Sequence, residues 1–363
     1  MDRPYPNDAM INLLPGPVTV RAEVVDAFCR PPLSHRSSAY VAAVAAVAQT
    51  LSGLTGAGRV ALLLGSGTLA NDVCAAQLGL LGSPGLILTN GEFGRRLLDH
   101  ARGARLSFTE LSFPDGASFD CHAVIDWLDA HPETGWIWFV HCETATGILN
   151  PLERLVILSR TRDVRCCVDA ISSLGTVPVE LSGVYLASGV SGKGFASYPG
   201  LALVFYNHAV LPRPDTLPPY LDLGLMAARD GVPFTGSSNL LFALQAALAS
   251  LDLEKRIQAL ACYAGSLRKA LRRSGLKLIG TDEDVTPAVI TIAVPPAVSS
   301  LQLGDRLRAE GFWLSYQSRY LVARNWVQIC LLGMVDFDAV TPLAALLPRL
   351  IVALTAAEET EAA

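Results

Sequence analysis

The fold is decided by residues 136–169, WIWFVHCETATGILNPLERLVILSRTRDVRCCVD. Two apolar runs, Trp136–His141 and Val164–Asp169, enclose a stretch with helical spacing at Pro151–Arg162. Strands that are buried on both faces have such runs, because the helices that connect parallel strands cover the sheet. The segment therefore predicts one strand–helix–strand unit of an α/β fold.

The same alternation continues on either side of that unit. Further strands are predicted at Val60–Leu64, Gly85–Leu88, Val184–Ala187 and Leu201–Phe205. Further helices are predicted at Leu69–Leu81, Gly94–Ala101 and Ala123–Ala130. This pattern is typical of a mostly parallel sheet with helices on its faces.

The last third of the chain has a different pattern. Residues 206–236 are rich in proline and glycine and predict an irregular connection, after which the spacing is helical from Ser238 to about Gly275. Later strands are predicted at Ala288–Val294, Trp313–Tyr316 and Val327–Leu331, and later helices at Leu301–Glu310 and Phe337–Leu354. We expect an N-terminal arm at residues 1–14, a large domain at 15–250, a small α+β domain at 251–355 and a frayed tail at 356–363.

Composition excludes several classes of protein. Hydrophobic residues make up 51% of the 363 residues and charged residues only 17%, which is enough for a large buried core. The net charge is −5 without a basic tract, so neither a nucleic acid nor an anionic membrane is expected as a partner. The longest uncharged stretches, such as residues 41–58, are rich in small residues and contain polar ones, so no membrane span is predicted.

The cysteines and histidines give no sign of a metal site. The eight cysteines show no CxxC spacing, and the six histidines show no ligand spacing. The first residues lack the charged-then-apolar layout of a signal peptide. We therefore predict no metal and a reducing, cytoplasmic location.

Lys193 is the most informative single residue. It is one of only four lysines among 28 basic residues, and none of the others precedes position 255. A buried lysine can lower its pKa and condense with an aldehyde to a Schiff base, which arginine cannot do. Its surroundings, residues 188–194 (SGVSGKG), are small and would let a planar ligand approach the backbone. The alternative is a surface lysine in a glycine turn.

Two more segments carry groups that a ligand of this kind needs. Gly65–Thr68 (GSGT) lies between a predicted strand and a predicted helix, where backbone N–H groups and hydroxyls bind phosphate. Asp169 ends a predicted central strand, where an ionised carboxylate could pair with a protonated ring nitrogen. For both segments, a plain helix N-cap is the alternative.

Pyridoxal 5'-phosphate requires a phosphate site, an acid for a ring nitrogen and a Schiff-base lysine, and the chain offers all three. Asp169 and Lys193 are expected at the ends of neighbouring strands that face one crevice. Phe93 lies at a strand-to-helix turn and could stack on the ring, although a core position is the alternative. The hydroxyl of Thr144, after another strand, could bond a ring substituent.

Together these segments resemble the class V, fold-type I aminotransferases, such as the 2-aminoethylphosphonate–pyruvate and alanine–glyoxylate transaminases. The most specific part of the resemblance is residues 141–151, HCETATGILNP. It also rests on residues 13–19 (LLPGPVT), 65–68 (GSGT), 90–96 (NGEFGRR), 168–173 (VDAISS) and the Lys193 segment. It implies a PLP-dependent transaminase with a mostly parallel seven-stranded sheet flanked by helices, plus a smaller C-terminal α+β domain.

The resemblance also implies a role for each site residue. Ser66, Gly67 and Thr68 would hold the cofactor phosphate, Phe93 would stack on the ring, Thr144 would bond its 3-hydroxyl side, Asp169 would pair with the pyridinium nitrogen, and Lys193 would carry the Schiff base. Ser191 is a further predicted cofactor contact, and Thr235 and Ser237 belong to a segment that would reach the phosphate from the other subunit of a homodimer. The predicted substrate contacts are Gly16, Arg36, Arg324 and Gln328.

Three positions depart from the family pattern. Gly192 replaces the usual glutamine or asparagine before the lysine, and Phe234 replaces a tyrosine in the cross-subunit segment. Gln328 stands where the family has an arginine that clamps the substrate carboxylate. Either Arg324 or Arg319 takes over that role, or the substrate is not held by a carboxylate there.

The resemblance implies transfer of an amino group between a small amino compound and a small 2-oxo acid or aldehyde. The amino compound would be 2-aminoethylphosphonate- or alanine-like, and the acceptor pyruvate- or glyoxylate-like. Another PLP-dependent reaction, a lyase or a biosynthetic C–C bond-forming reaction, is the alternative because of Gln328. A Rossmann-like nucleotide-binding protein is disfavoured, since the chain lacks a GxGxxG fingerprint.

Overall fold

The computed structural model describes residues 10–362, and the side chains of residues 10–357. Its strands are β1 (Ile11–Leu13), β2 (Arg59–Leu64), β3 (Gly85–Thr89), β4 (Phe108–Ser112), β5 (Trp136–Val140), β6 (Cys142–Glu143), β7 (Ile148–Leu149), β8 (Arg165–Asp169), β9 (Leu186–Val190), β10 (Leu201–Tyr206), β11 (Lys277–Leu278), β12 (Val289–Ala293), β13 (Phe312–Leu314) and β14 (Trp326–Cys330).

The helices alternate with these strands through most of the chain. They are α1 (Ala22–Phe28), α2 (Ser38–Thr55), α3 (Gly67–Gly79), α4 (Glu92–Gly103), α5 (Cys121–Ala130), α6 (Leu152–Thr161), α7 (Leu223–Ala228), α8 (Ser238–Ala249), α9 (Leu253–Arg273), α10 (Ser300–Ala309), α11 (Arg319–Val322), α12 (Phe337–Val340) and α13 (Leu343–Ala362).

The central sheet has seven strands in the order β2-β10-β9-β8-β5-β3-β4. All neighbours are parallel except β10, which is antiparallel to both β2 and β9. The predicted mostly parallel, seven-stranded sheet is therefore confirmed. In the pairing of β5 with β8, Val140 lies opposite Asp169, so the carboxyl ends of the two central strands are level.

Both faces of this sheet are covered, which explains the continuous apolar runs. In β5, Ile137 and Phe139 point into one core, which also contains Val44 of α2 and Leu241 of α8. The alternate residues of β5 point into a second core on the opposite face, together with residues of α3 and α4. The sheet is thus the middle of three layers.

The C-terminal part forms a smaller unit around the antiparallel sheet β11-β12-β14 and a core of its own. The N-terminal strand β1 belongs to this unit, because it pairs in parallel with β13 and buries Leu13 in that core. The predicted arm at residues 1–14 therefore packs on the small unit from Ile11 onwards, while residues 1–9 lie outside the described part. The division into domains at residues 250 and 355 stays a prediction.

Two long apolar helices differ from the sequence-based expectation. Helix α2 was not predicted, and the closing helix begins at Leu343 and continues to Ala362, through most of the predicted tail. Segments Ser38–Thr55 and Phe337–Ala357 are each long and apolar enough to cross a membrane, and about a third of each is buried. Their buried residues pack in the cores of the two units.

Candidate active site

A cavity of about 490 Å³ lies at the carboxyl ends of β5 and β8 and beyond the end of β9. Nine of the predicted site residues line it: Gly16, Ser66, Gly67, Thr68, Phe93, Thr144, Asp169, Lys193 and Gln328. The sheet brings these residues together, although the sequence spreads them over more than 300 positions. The carboxyl edge of an open α/β sheet is where such folds bind ligands.

Lys193 follows β9, on a turn that points its amine into this cavity. Its Nζ donates a hydrogen bond to the Ser172 hydroxyl at 2.9 Å and lies 5.5 Å from the centre of the Phe93 ring. Burial lowers the pKa of Lys193, and the carboxylate of Asp169 opposes that shift only in part. The neutral amine, which is the nucleophilic form, is therefore favoured more than in a solvated lysine.

The close approach of Pro199 explains why position 192 of this turn is a glycine. A Cβ atom at that position would lie 2.6 Å from the backbone Cα of Pro199, which is closer than real side chains approach. The glutamine or asparagine that the family resemblance implies at this position therefore has no room in this chain.

Asp169 is buried at the end of β8, and its carboxylate is held from two directions. Its Oδ2 accepts a hydrogen bond from Nδ2 of Asn71 at 2.9 Å, and its Oδ1 accepts one from the backbone N–H of Ile171 at 3.0 Å. Burial raises the pKa of Asp169, and these two donors counteract that shift. The carboxylate thus has a fixed orientation toward the cavity.

Asn71 is a site residue that the sequence analysis missed. It lies on α3, one turn after Thr68, so that both project from the same face of the helix. Its own Oδ1 accepts a hydrogen bond from the hydroxyl of Ser188 at 2.6 Å, which fixes the orientation of the amide. The i, i+3 spacing from Thr68 was the only sequence signal that could have found it.

An Asn71→Ala variant is expected to weaken cofactor binding about tenfold or more, because it removes a hydrogen bond to a buried carboxylate. Ser188→Ala removes only the neutral bond that orients Asn71 and should have a smaller effect. Equilibrium titration of the apoprotein with pyridoxal phosphate would measure both. Equal affinities in Asn71→Ala and the wild type would show that Asn71 does not position Asp169.

The start of α3 matches a phosphate site. Ser66 is the N-cap residue, yet its side chain makes no capping hydrogen bond, and the first helical turn contains no acidic residue. Ser66 and Thr68 line the cavity at this helix start, where the first backbone N–H groups have no partner within the helix. This arrangement favours the phosphate interpretation over the plain N-cap.

Two hydroxyl groups connect Lys193 to the β5 side of the cavity. The Thr144 and Ser172 hydroxyls are 2.5 Å apart, and Ser172 also contacts Lys193. Phe93, half-buried in the first turn of α4, faces the same space. In the sequence Ser172 is marked only by its place in the VDAISS motif, which does not predict its contact with the lysine.

Glu143 is a second residue that the sequence analysis missed. Its carboxylate is fully buried and accepts hydrogen bonds from the backbone N–H groups of Gly94 at 2.9 Å and Ala145 at 3.1 Å. It thereby ties the first turn of α4, which carries Phe93, to the segment that carries Thr144. Burial raises the pKa of Glu143 to about 7, although the backbone donors oppose the shift.

The stability of the protein is expected to depend on whether the buried carboxyl group of Glu143 is protonated. The pKa of Glu143 rises from an ordinary 4.5 to about 7 on folding, so its contribution to stability is present below pH 4.5 and is lost as the pH rises through 7. Full ionisation costs about 3 kcal/mol. Glu143→Gln cannot ionise, so its Tm relative to the wild type should rise between pH 5 and pH 8. Glu153→Gln, the same change on exposed α6, is the control.

Two arginines that were predicted as substrate contacts do not line the cavity of this chain. Arg36 is exposed, and its backbone N–H is bonded to Ser34. The guanidinium of Arg324 pairs with the carboxylate of Asp115 and stacks on Tyr320, 3.6 Å from the ring centre. Arg319, the other candidate, is exposed. Their roles stay predictions.

Three of the predicted cofactor contacts also lie off the cavity. Ser191 is buried, and its hydroxyl donates to the backbone of Tyr198 and accepts from that of Leu201. Ser237 caps helix α8, and Thr235 lies beside it in a separate small pocket. That position agrees with a segment that serves another subunit, which remains a prediction.

Gln328, on β14, is buried with a fixed side-chain amide. Its Nε2 donates to the carbonyl oxygens of Thr144 at 2.8 Å and Ala145 at 3.1 Å, and to the Thr291 hydroxyl at 2.9 Å. Carbonyl oxygens only accept, so this atom must be the nitrogen. At the position where the family resemblance implies an arginine, the chain thus has a neutral amide whose N–H groups already have acceptors.

No family model matches the chain. It is 30% identical over 269 residues to the 2-aminoethylphosphonate–pyruvate transaminase of Aeromonas hydrophila, covering 69% of this chain and 70% of that protein. It is also 30% identical over 314 residues to a protein of Anabaena cylindrica named soluble hydrogenase 42 kDa subunit. That match covers 80% of this chain and 79% of that protein.

Solved structures agree over nearly the whole chain. Alanine–glyoxylate aminotransferase from Nostoc sp. superposes with a TM-score of 0.87 at 25% identity, over 97% of both chains. Pyridoxamine–pyruvate aminotransferase from Mesorhizobium loti also gives a TM-score of 0.87, at 22% identity, over 99% of this chain and 95% of its own. The second similarity supports the fold alone.

Proposed function

Because the chain belongs to the class V, fold-type I family of PLP-dependent aminotransferases, we propose that it transfers an amino group between two small molecules. The donor is a small amino compound, 2-aminoethylphosphonate- or alanine-like. The acceptor is a small 2-oxo acid or aldehyde, pyruvate- or glyoxylate-like. The observation that carries this proposal is Lys193, whose pKa is lowered and whose amine faces the same cavity as the buried carboxylate of Asp169.

The residues around the cavity suit pyridoxal phosphate. Ser66 and Thr68 would bind its phosphate at the start of α3, and Phe93 would cover its ring. Asp169, held by Asn71, would pair with its ring nitrogen. When bound, the cofactor supplies an electron sink for the bonds around the amine-bearing carbon.

Each of the chain's own groups then has a task. Lys193 Nζ would hold the cofactor aldehyde and, as a free amine, would remove a proton from the amine-bearing carbon of the substrate. Ser172 accepts a hydrogen bond from that amine and limits its movement. The buried carboxylate of Asp169 would keep a proton on the ring nitrogen, because an unpaired negative charge is costly at a buried site.

A second candidate is another PLP-dependent reaction on this scaffold, either a lyase or a biosynthetic C–C bond-forming reaction. The observation that favours it is Gln328, since a neutral amide stands at the position of the expected carboxylate clamp. The two candidates differ in their product. A transaminase would leave the amino group on the cofactor, so that a 2-oxo acid or aldehyde would be needed to restore the visible absorption band. The other reactions would return the bound cofactor to its aldehyde form without an acceptor.

The same proposal includes a homodimer in the cytoplasm. Thr235 and Ser237 lie outside this chain's cavity, as expected if they serve a second copy. The apolar side chains of Leu33, Leu64 and Tyr220 are exposed and could be covered by that copy. All eight cysteines are free, which suits a reducing compartment.

Covalent mapping of the cofactor tests the proposal directly. The purified protein should be yellow, and borohydride should bleach the colour and leave a pyridoxyl adduct on the peptide that contains Lys193. Mass spectrometry identifies that peptide. A colourless protein that neither binds added pyridoxal phosphate nor forms the adduct would end the proposal.

A further inference from the structure

The wall of the cavity that the small unit and the N-terminal segment contribute is uncharged. It consists of Pro15, Gly16 and Pro17 on one side and of residues such as Ser315, Ser318 and Gln328 on the other. The charged lining residues belong instead to the sheet edge and to α4. A substrate group that lies against the uncharged wall therefore meets no counter-ion from this chain.

The one arginine among the described lining residues, Arg96, is already engaged. It pairs with the carboxylate of Glu92 on the same helix and lies over the ring of Phe93, 4.7 Å from its centre. His100, the lining histidine on α4, contacts the carboxylate of Asp72 through its Nδ1 at 2.6 Å. Both side chains therefore already have a carboxylate partner.

The side-chain amide of Gln328 is held in one orientation and cannot exchange the positions of its oxygen and nitrogen. Its two N–H groups are shared among three acceptors, two of which are backbone carbonyls. The backbone of Gln328 is also fixed, because it exchanges two hydrogen bonds with Ser315. Among the described residues none donates to its Oε1, and the side chain lines the cavity. The amide therefore offers a hydrogen-bond acceptor to the substrate.

We propose that this site selects a primary amine with an uncharged hydrogen-bond donor, such as a hydroxyl or carboxamide, beside the amine-bearing carbon. A carboxylate at that place would face the oxygen of Gln328, which repels it, and would lose its hydration without gaining a partner. A carboxamide or hydroxyl would instead donate to that oxygen. The inference rests on the proposed function and narrows both substrates, because donor and acceptor occupy the same site in turn. The donor then has no carboxylate beside its amine-bearing carbon, and the acceptor is an aldehyde rather than a 2-oxo acid.

Two matched pairs of probes test this selectivity in the holoenzyme. Alaninamide and alanine differ only in the group beside the amine-bearing carbon, and the rate at which each removes the visible cofactor band compares them. Propanamide and propanoate cannot react, so calorimetry gives their binding independently of turnover. Each amide is expected to be favoured about tenfold or more over its acid.

Substitutions at Gln328 and Gln317 test whether Gln328 causes the preference for an amide over an acid. Gln328→Arg should shift the binding ratio toward propanoate by about tenfold or more, because a guanidinium can bind a carboxylate with two bonds. Gln317→Arg adds the same charge on the exposed surface nearby and should leave the ratio unchanged. If Gln328→Arg does not fold, the ratio of propanamide binding to propanoate binding in the wild type still tests the proposal.

Three outcomes would overturn the proposal. The wild type could bind propanoate as tightly as propanamide, or alanine could react as fast as alaninamide. Binding of propanoate that disappears in Arg36→Ala would show that Arg36 supplies a cationic clamp. In all three cases the pyridoxyl adduct on Lys193 would still form, so the proposed function would survive. Absence of the adduct would refute that function instead.

Discussion

A Lys193→Ala variant is expected to fold and to lose at least about 10⁴-fold in turnover, because one amine both holds the cofactor and moves the proton. The loss should leave the phosphate site at Ser66 and Thr68 intact, so pyridoxal phosphate should still bind without forming a covalent bond. Borohydride should then attach no cofactor to the chain. Turnover and intact mass, measured on the same preparation, check both effects.

Lys255→Ala is the matched control for this substitution. It removes another lysine from the exposed face of α9, outside the cavity, and should retain full activity and the adduct. A small primary amine added to Lys193→Ala should restore part of the turnover, since it replaces the lost proton carrier. If Lys193→Ala kept wild-type turnover, the lysine would have no catalytic role.

An Asp169→Asn variant is expected to lose on the order of 10²–10³-fold in turnover, because it removes a preorganised charge at the cofactor ring. The substitution keeps the size of the side chain, and its single amide oxygen can still accept one of the two hydrogen bonds that hold Asp169, either from Asn71 or from the backbone of Ile171. The protein should therefore keep its fold and its cofactor. Steady-state rates at saturating cofactor isolate the effect of charge from the effect on occupancy.

Borohydride labelling of Lys193 is the control for the Asp169→Asn variant, because it shows whether the cofactor still binds. Borohydride should label Asp169→Asn to the same extent as the wild type, because Lys193 is unchanged. A rate within threefold of the wild type would contradict the role of Asp169 as the partner of the ring nitrogen. Loss of both the rate and the adduct would point instead to damage of the whole site.

The buried strands of the central sheet were predictable because burial on both faces demands continuous apolar runs. β5, β8 and β10 were found within one or two residues of their ends. The edge strand β4 was not, because its residues are only partly buried and its sequence, FTELS, has no apolar run. Helix α2 was not predicted either, since its alanines and lack of charged residues leave no polar face to mark a helix.

The main groups of the site were predictable for a topological reason. Parallel neighbouring strands end at the same edge, so Asp169 and Lys193 had to approach each other once β8 and β9 were recognised. The hydrogen bonds that orient them were not predictable. Asn71 contacts Asp169 across 98 positions, and the amide direction of Gln328 depends on carbonyls 183 and 184 positions away. Such contacts depend on side-chain directions that no local pattern contains.

The pairing of β1 with β13 has a consequence for how the protein is made. Ile11 lies opposite Phe312, so the first strand leaves the ribosome about 300 residues before its partner. At translation rates of 5–20 residues per second, β1 waits on the order of 15–60 s. Pro15–Pro17, which follow directly, cannot take their final place against the cavity until then. The vitamin-derived coenzyme is therefore expected to bind only when the polypeptide is complete or almost complete.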